Sequence, residues 1–109
     1  MAITGFKTPF MGSVTATTAA QDLYTLLSAT FTNLPHKCAY LQIQLNTDAG
    51  GTVLYVGNSN VSSTMCGAAL FAGQANQQFA FDSNLVVLDH VFIIASTGTV
   101  QVNLMVVVR

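Results

Sequence analysis

Apolar and polar positions alternate with a period of two over much of the chain, as in strands that bury one face. The alternation is regular in residues 37–45 and in residues 100–104 of a strand predicted over 100–108. Its apolar positions are Ala39, Leu41, Ile43, Leu45, Val100, Val102 and Leu104. After Leu104 both faces become apolar, over residues 105–108, which indicates that a second sheet or another chain covers this end of the strand.

Shorter segments rich in β-branched and aromatic residues predict further strands. These segments are 13–19, 52–56, 77–81 and 91–95, and turn-forming residues separate them at 46–51, 57–60, 82–84 and 97–99. Residues 21–27 have leucines at helical spacing and predict one or two helical turns, although helix, strand and loop all remain open for 20–32. Pro35 is expected to end the secondary-structure element that precedes it.

Several short strands spaced by turns predict an all-β fold. We expect a single-domain, jelly-roll-like β-sandwich over residues 13–109, preceded by an extended N-terminal arm over residues 1–12. Gly5, Pro9 and Gly12 interrupt that arm, and it nevertheless carries apolar side chains. It either docks on a neighbouring subunit or folds back on its own domain.

The amino-acid composition excludes several classes of function. Charged residues make up 6% of the chain and hydrophobic residues 51%, with a formal net charge of −1. Three scattered cations do not form the basic stripe that nucleic-acid binding requires. The apolar runs are too short for a transmembrane helix, and residues 1–7 have no secretory-signal pattern, so we expect synthesis in a cytoplasm without membrane insertion.

Candidate chemistry is sparse. Asp89 and His90 are adjacent, but neighbouring strand residues point to opposite faces, so they would not form a dyad. His36 is expected in a surface loop. Cys38 and Cys66 lie 28 positions apart without ligand spacing, which favours reduced thiols over a disulfide and makes zinc unlikely. We therefore predict a non-enzymatic chain with no catalytic residue, cofactor or metal.

Residues 51–64, GTVLYVGNSNVSST, resemble a run found in small virion structural proteins of tailed bacteriophages. Gly67, Leu70 and Gly73 continue that resemblance, and residues 88–102 are similar to a later segment of those proteins. The chain departs from the pattern at residues 65–66 and at Phe71, where apolar side chains replace polar or small ones.

The resemblance implies a virion component without enzymatic activity, best matched by a capsid decoration or cement protein. Such a protein would act as a homotrimer on a major capsid protein or another virion protein, without nucleic acid, membrane or small-molecule substrate. The expected oligomer or capsid interface consists of Ile3, Phe6, Phe10, Met11, Met105, Val106, Val107 and Val108. The alternatives are a tail or fibre component, or a carbohydrate-binding β-sandwich at a receptor-binding tip, with Tyr24 and Tyr40 as its exposed aromatics.

Overall fold

The computed structural model describes residues 10–45, 51–71, 77–80 and 86–107. Within them the chain is mostly β, with one short α-helix and one turn of 3-10 helix. The strands are β1 (Phe10–Ala16), β2 (Gln21–Asp22), β3 (Lys37–Cys38), β4 (Tyr40–Leu45), β5 (Leu54–Gly57), β6 (Ala68–Leu70), β7 (Gln77–Ala80), β8 (Val86–Val87), β9 (Phe92–Ala95) and β10 (Val100–Val107). The helix α1 spans Leu23–Ser28, and the 3-10 turn spans Leu88–His90. The prediction of an all-β fold is thus confirmed in part, since the described residues are mostly β.

The strands form two four-stranded sheets and one two-stranded sheet. The first sheet has the order β1-β10-β4-β7 and the second β2-β9-β5-β6, while β3 pairs with β8. Every described pair is antiparallel. The last strand therefore lies inside the first sheet, between β1 and β4.

One hydrophobic cluster joins the sheets. The first sheet contributes residues such as Ile43, Val102 and Val106, and the second contributes Leu54 and Ile93, all 0% exposed. The inward positions of β4 and β10 follow the alternation predicted from sequence. Because both sheets bury one face in the same cluster, the opposite face of the first sheet is left for other contacts.

The predicted arm is wrong at its end, because β1 begins at Phe10 rather than after Gly12. Seven consecutive residues of β1 pair with β10, from Phe10 opposite Val106 to Ala16 opposite Val100. Gly12 does not interrupt the strand, because it pairs with Leu104 within the ladder. A Cβ at Gly12 would lie 3.4 Å from Cε2 of Phe31, which is an ordinary van der Waals contact. Residues 1–9 lie outside the described part.

The predicted strand over 37–45 is divided between two sheets. Cys38 belongs to β3, which pairs with β8, and Tyr40 opens β4, which pairs with β10. Ala39, between them, donates its N–H to the carbonyl of Val107 over 2.9 Å. Cys38 is consequently buried, although the simple alternation placed it on the outer side.

The helix predicted within 21–27 is confirmed as α1. Asp22 is its N-cap, since its Oδ2 accepts the backbone N–H of Thr25 over 3.0 Å and its Oδ1 accepts the Thr25 hydroxyl over 2.7 Å. Leu23 and Leu27 point into the core. The helix is thereby tied both to the interior and to the short strand that precedes it.

Candidate interaction surface

The outward side chains of β1, β10 and β4 form a surface that we call the outer face. It consists of Met11, Ser13, Thr15, Tyr40, Gln42, Gln44, Gln101, Asn103, Met105 and Val107. None of these residues is charged. The charged side chains of the described part, Asp22, Lys37 and Asp89, belong to β2, β3 and the 3-10 turn. The outer face is therefore built from amides, hydroxyls, two methionines and one valine.

Strand register arranges the outer face in rows that run across the sheet. Met11 lies opposite Met105, which in turn lies opposite Gln42. The next row places Ser13 opposite Asn103, and Asn103 opposite Gln44. The apolar Met11–Met105 pair thus lies beside a group of amide side chains.

Hydrogen bonds within the outer face order part of this group. Ser13 donates its hydroxyl to Oε1 of Gln101 over 3.0 Å, and Nε2 of Gln101 donates to Oγ1 of Thr15 over 2.9 Å. Tyr40 donates its hydroxyl to Oε1 of Gln42 over 3.0 Å. Because these groups satisfy one another, the outer face can be covered by a partner at a lower desolvation cost than a set of unpaired polar groups.

A shallow depression of about 400 Å³ lies where the Met11–Met105 row meets the amide rows. Its lining consists of Met11, Gly12, Gln42, Gln44, Asn103, Leu104 and Met105. Met11 is 69% exposed at the rim, the most exposed large hydrophobic residue of the described part. An exposed methionine beside amides offers an adaptable apolar contact together with hydrogen bonds.

The structure divides the interface residues predicted from sequence between the outer face and the core. Met11, Met105 and Val107 lie on the outer face, whereas Val106 is 0% exposed and faces the core. Phe10, which is opposite Val106 in the register, packs edge-on against Phe31 with ring centroids 5.2 Å apart. Phe10 and Val106 therefore serve the interior of their own chain. The remaining predicted residues, Ile3, Phe6 and Val108, lie outside the described part.

Two further exposed apolar residues lie away from the outer face. Met65 is 62% exposed in the loop between β5 and β6, and Phe71 is 52% exposed just after β6. The loop is internally fixed, because Ser62 and Met65 exchange backbone hydrogen bonds and the Ser62 hydroxyl accepts the Met65 N–H over 3.1 Å. Sequence had singled out both positions as unusually apolar, but without indicating that they would be exposed.

The structure also forms a histidine–carboxylate pair that sequence reasoning missed. His36 Nδ1 lies 2.9 Å from Oδ1 of Asp89, and the imidazole stacks on the Tyr24 ring with centroids 3.9 Å apart. His36 and Asp89 are 53 positions apart, so no local pattern could have found the pair. His90, the neighbour considered from sequence, takes no part in this contact.

The His36–Asp89 pair lies at the surface of the described part of the chain. The two side chains are 61% and 38% exposed, and among the described residues no hydroxyl or thiol hydrogen-bonds the second imidazole nitrogen. An oriented imidazole acts in acyl transfer when it activates a nucleophile within hydrogen-bond reach. The contact holds the 3-10 turn against α1 and the residue before β3, where the Leu88 N–H also donates to the His36 carbonyl over 2.7 Å.

The two cysteines have different environments and are both free thiols. Cys38 is fully buried, and burial raises the pKa of its thiol to about 11. A thiol that stays protonated is a poor nucleophile and a poor metal ligand. Cys66 is exposed in the β5–β6 loop, and among the described residues three or more metal-ligating side chains nowhere cluster together.

Tyr24 and Tyr40, the aromatic candidates for sugar binding, belong to different elements and have different partners. Tyr24 on α1 stacks on His36, whereas Tyr40 opens β4 and donates to Gln42. Within the described ranges no helix is both long enough and apolar enough to cross a bilayer. Comparison of the chain with known protein families, with curated proteins and with solved structures finds no match in any of the three.

Proposed function

We propose that the chain is a non-enzymatic structural subunit of a tailed-bacteriophage virion, and most specifically a decoration or cement protein of the head. Its sheets would pack as a β-sandwich with jelly-roll-like connections, and it would act as a homotrimer on the major capsid protein. The observation that carries the proposal is the uncharged outer face, with Met11 opposite Met105 at its apolar end.

The chemistry of this surface suits a lasting contact. Charged residues are depleted at the centres of protein interfaces, and methionine is enriched there. Charge around a contact mainly speeds encounter and selects partners. A surface with ten outward residues and no charge lacks this electrostatic acceleration of binding. A subunit that assembles once in a crowded host cell does not need fast association.

The proposed mechanism is stabilisation by mass action. A subunit that binds the mature shell and not the disassembled shell protein shifts the equilibrium towards the shell. The effect grows with the number of subunits bound, so a small domain present in many copies is sufficient. The proposed mechanism requires no bond-making chemistry.

The experiment uses virions of the phage that encodes the chain, made with and without its gene. We expect heads without the protein to lose their genome at a lower temperature, and purified protein to restore wild-type heat resistance. Immunogold labelling then distinguishes head from tail or fibre. Heads that are equally resistant in both preparations, together with labelling absent from the particles, would overturn the proposal.

A second candidate, a carbohydrate-binding module at a receptor-binding tip, is favoured by one feature of the depression. The amides of Gln42, Gln44 and Asn103 line it, and amides are suitable partners for sugar hydroxyls. A glycan array probed with the purified chain tests this candidate. Binding that is lost in Gln44→Ala would support it, and an array without signal would contradict it.

A further inference from the structure

The edge strand β1 lacks the devices that usually prevent edge pairing. It is seven residues long, contains neither proline nor a charged side chain, and pairs with β10 in an unbroken register without a bulge. Natural proteins protect exposed edges with charge, proline, bulges or very short strands. By these criteria β1 is open to pairing with another strand.

The side of β1 away from β10 is free in the described part of the chain. No backbone hydrogen bond joins residues 10–16 to any described strand other than β10. The first contact on that side comes just after the strand, where the carbonyl of Thr17 accepts the N–H of Ala95 over 2.7 Å. The stretch that remains open is therefore 10–16.

We propose that this edge pairs with β1 of a second copy of the chain, antiparallel about a two-fold axis at Ser13. In that register Ser13 lies opposite Ser13 of the second copy, and Met11 lies opposite Thr15 of the second copy. The pairing does not depend on the proposed virion function.

The side chains of β1 permit this strand to pair with β1 of a second copy. A two-fold axis brings each residue near the axis next to its own counterpart, so any charge there would meet the same charge. The sequence has no charged residue between Lys7 and Asp22, which removes that repulsion. Paired serine and threonine hydroxyls stabilise neighbouring strands on the exposed side of a sheet. The residues of β1 on that side are Met11, Ser13 and Thr15.

The result would be one continuous eight-stranded sheet made from two four-stranded ones. Because the axis runs perpendicular to the sheet, both outer faces would point to the same side. The two Met11–Met105 rows would then offer a doubled surface to a third protein. A two-fold contact of this kind is compatible with a three-fold contact elsewhere, and the two together would give six copies.

The test compares two lysine substitutions in the same row of the sheet. Ser13→Lys places two ammonium groups directly opposite each other at the axis, where like charges destabilise pairing. Asn103→Lys is the matched control, because Asn103 is also exposed and is opposite Ser13, but on the internal strand β10. Across the axis the control charges are farther apart than a Debye length of about 8 Å, so salt screens them.

Light scattering behind a sizing column measures the mass, and circular dichroism checks the fold. We expect the wild type to be an even multiple of 11.5 kDa, Ser13→Lys to have half that mass, and Asn103→Lys to match the wild type. Ser13→Asp should also have half the mass, and an equimolar mixture with Ser13→Lys should regain the full mass. An odd multiple for the wild type, an undiminished mass for both Ser13 variants, or equal disruption by Asn103→Lys would overturn the pairing.

Discussion

Met11 and Met105 lie directly opposite each other across β1 and β10, on the side of the sheet that faces away from the core. The two residues are 94 positions apart in the sequence. Their pairing turns two isolated apolar positions into one apolar site at the rim of an amide-rich surface. A contact that covers this site would remove Met11, now 69% exposed, from water.

A charge at this site should weaken particle binding without unfolding the chain. Met11→Lys places an ammonium group in the proposed contact, and we expect at least a tenfold loss of affinity for heads that lack the protein, since burying an unpaired charge is costly. The monomer should keep its stability to within about 0.5 kcal/mol, because the position is exposed. Co-sedimentation with the heads measures the binding.

Met65→Lys is the matched control for that substitution. Met65 is 62% exposed, close to the value for Met11, but it lies in the β5–β6 loop. We expect wild-type binding for this variant. If Met65→Lys weakened binding and Met11→Lys did not, the contact would have to be moved from the outer face to the loop.

Neighbouring residues of β10 should differ sharply in their contribution to stability. Leu104 is 3% exposed and packs in the core, so Leu104→Ala should lower the free energy of unfolding by about 2–5 kcal/mol. Met105→Ala, on the outer face, should cost less than about 1 kcal/mol. Urea unfolding monitored by circular dichroism measures both. Equal losses would show that β10 does not present alternate faces to core and solvent.

The N-cap of α1 gives a local test. Asp22→Ala removes the acceptor for the Thr25 N–H and hydroxyl, and we expect a loss of about 1 kcal/mol in the free energy of unfolding. Asp22→Asn keeps an oxygen that can accept the N–H and should recover most of that loss. Thermal unfolding of the three proteins decides the matter, and an Asp22→Ala variant as stable as the wild type would contradict the cap.

The two thiols should react differently with iodoacetamide. In the native protein at pH 8, Cys66 should be alkylated and Cys38 should not, because Cys38 is buried and burial raises the pKa of its thiol from the ordinary 9.0 to about 11. Intact mass should show one adduct in the native state and two in urea. Native Cys66→Ser should show none, and an adduct there would mean that Cys38 is accessible.

The same pKa shift has a consequence for stability. The unfolded state releases the Cys38 proton near pH 9, whereas the folded state retains it to about pH 11. This contribution to stability is therefore complete below pH 9 and is lost as the pH rises towards 11. Removing the thiol with Cys38→Ala should flatten that part of the stability profile.

The sequence predicted those parts of the fold that leave a local pattern. The alternation of Val100, Val102 and Leu104 located β10 and its inward face, and the leucines of 21–27 located α1. At residues 105–107 that pattern fails, because all three are apolar. The burial of the strand shows that Val106, at 0% exposed, is the inward one, which continues the period of two from Val100, Val102 and Leu104.

The errors have physical causes as well. Glycine disfavours a strand when it is considered in isolation, but the pairing of β1 with β10 on both sides of Gly12 holds that residue in the strand. The strand β8 has two residues and the 3-10 turn has three, too few to show a period. The His36–Asp89 contact depends on how distant segments meet, which no local spacing records.

The most direct test of the account is the copy number of the chain in purified virions, measured by quantitative mass spectrometry after a high-salt wash. A structural subunit held through an uncharged surface should resist the wash and be present in numbers comparable to the major capsid protein. A chain found in the lysate but absent from washed particles would contradict the proposed function.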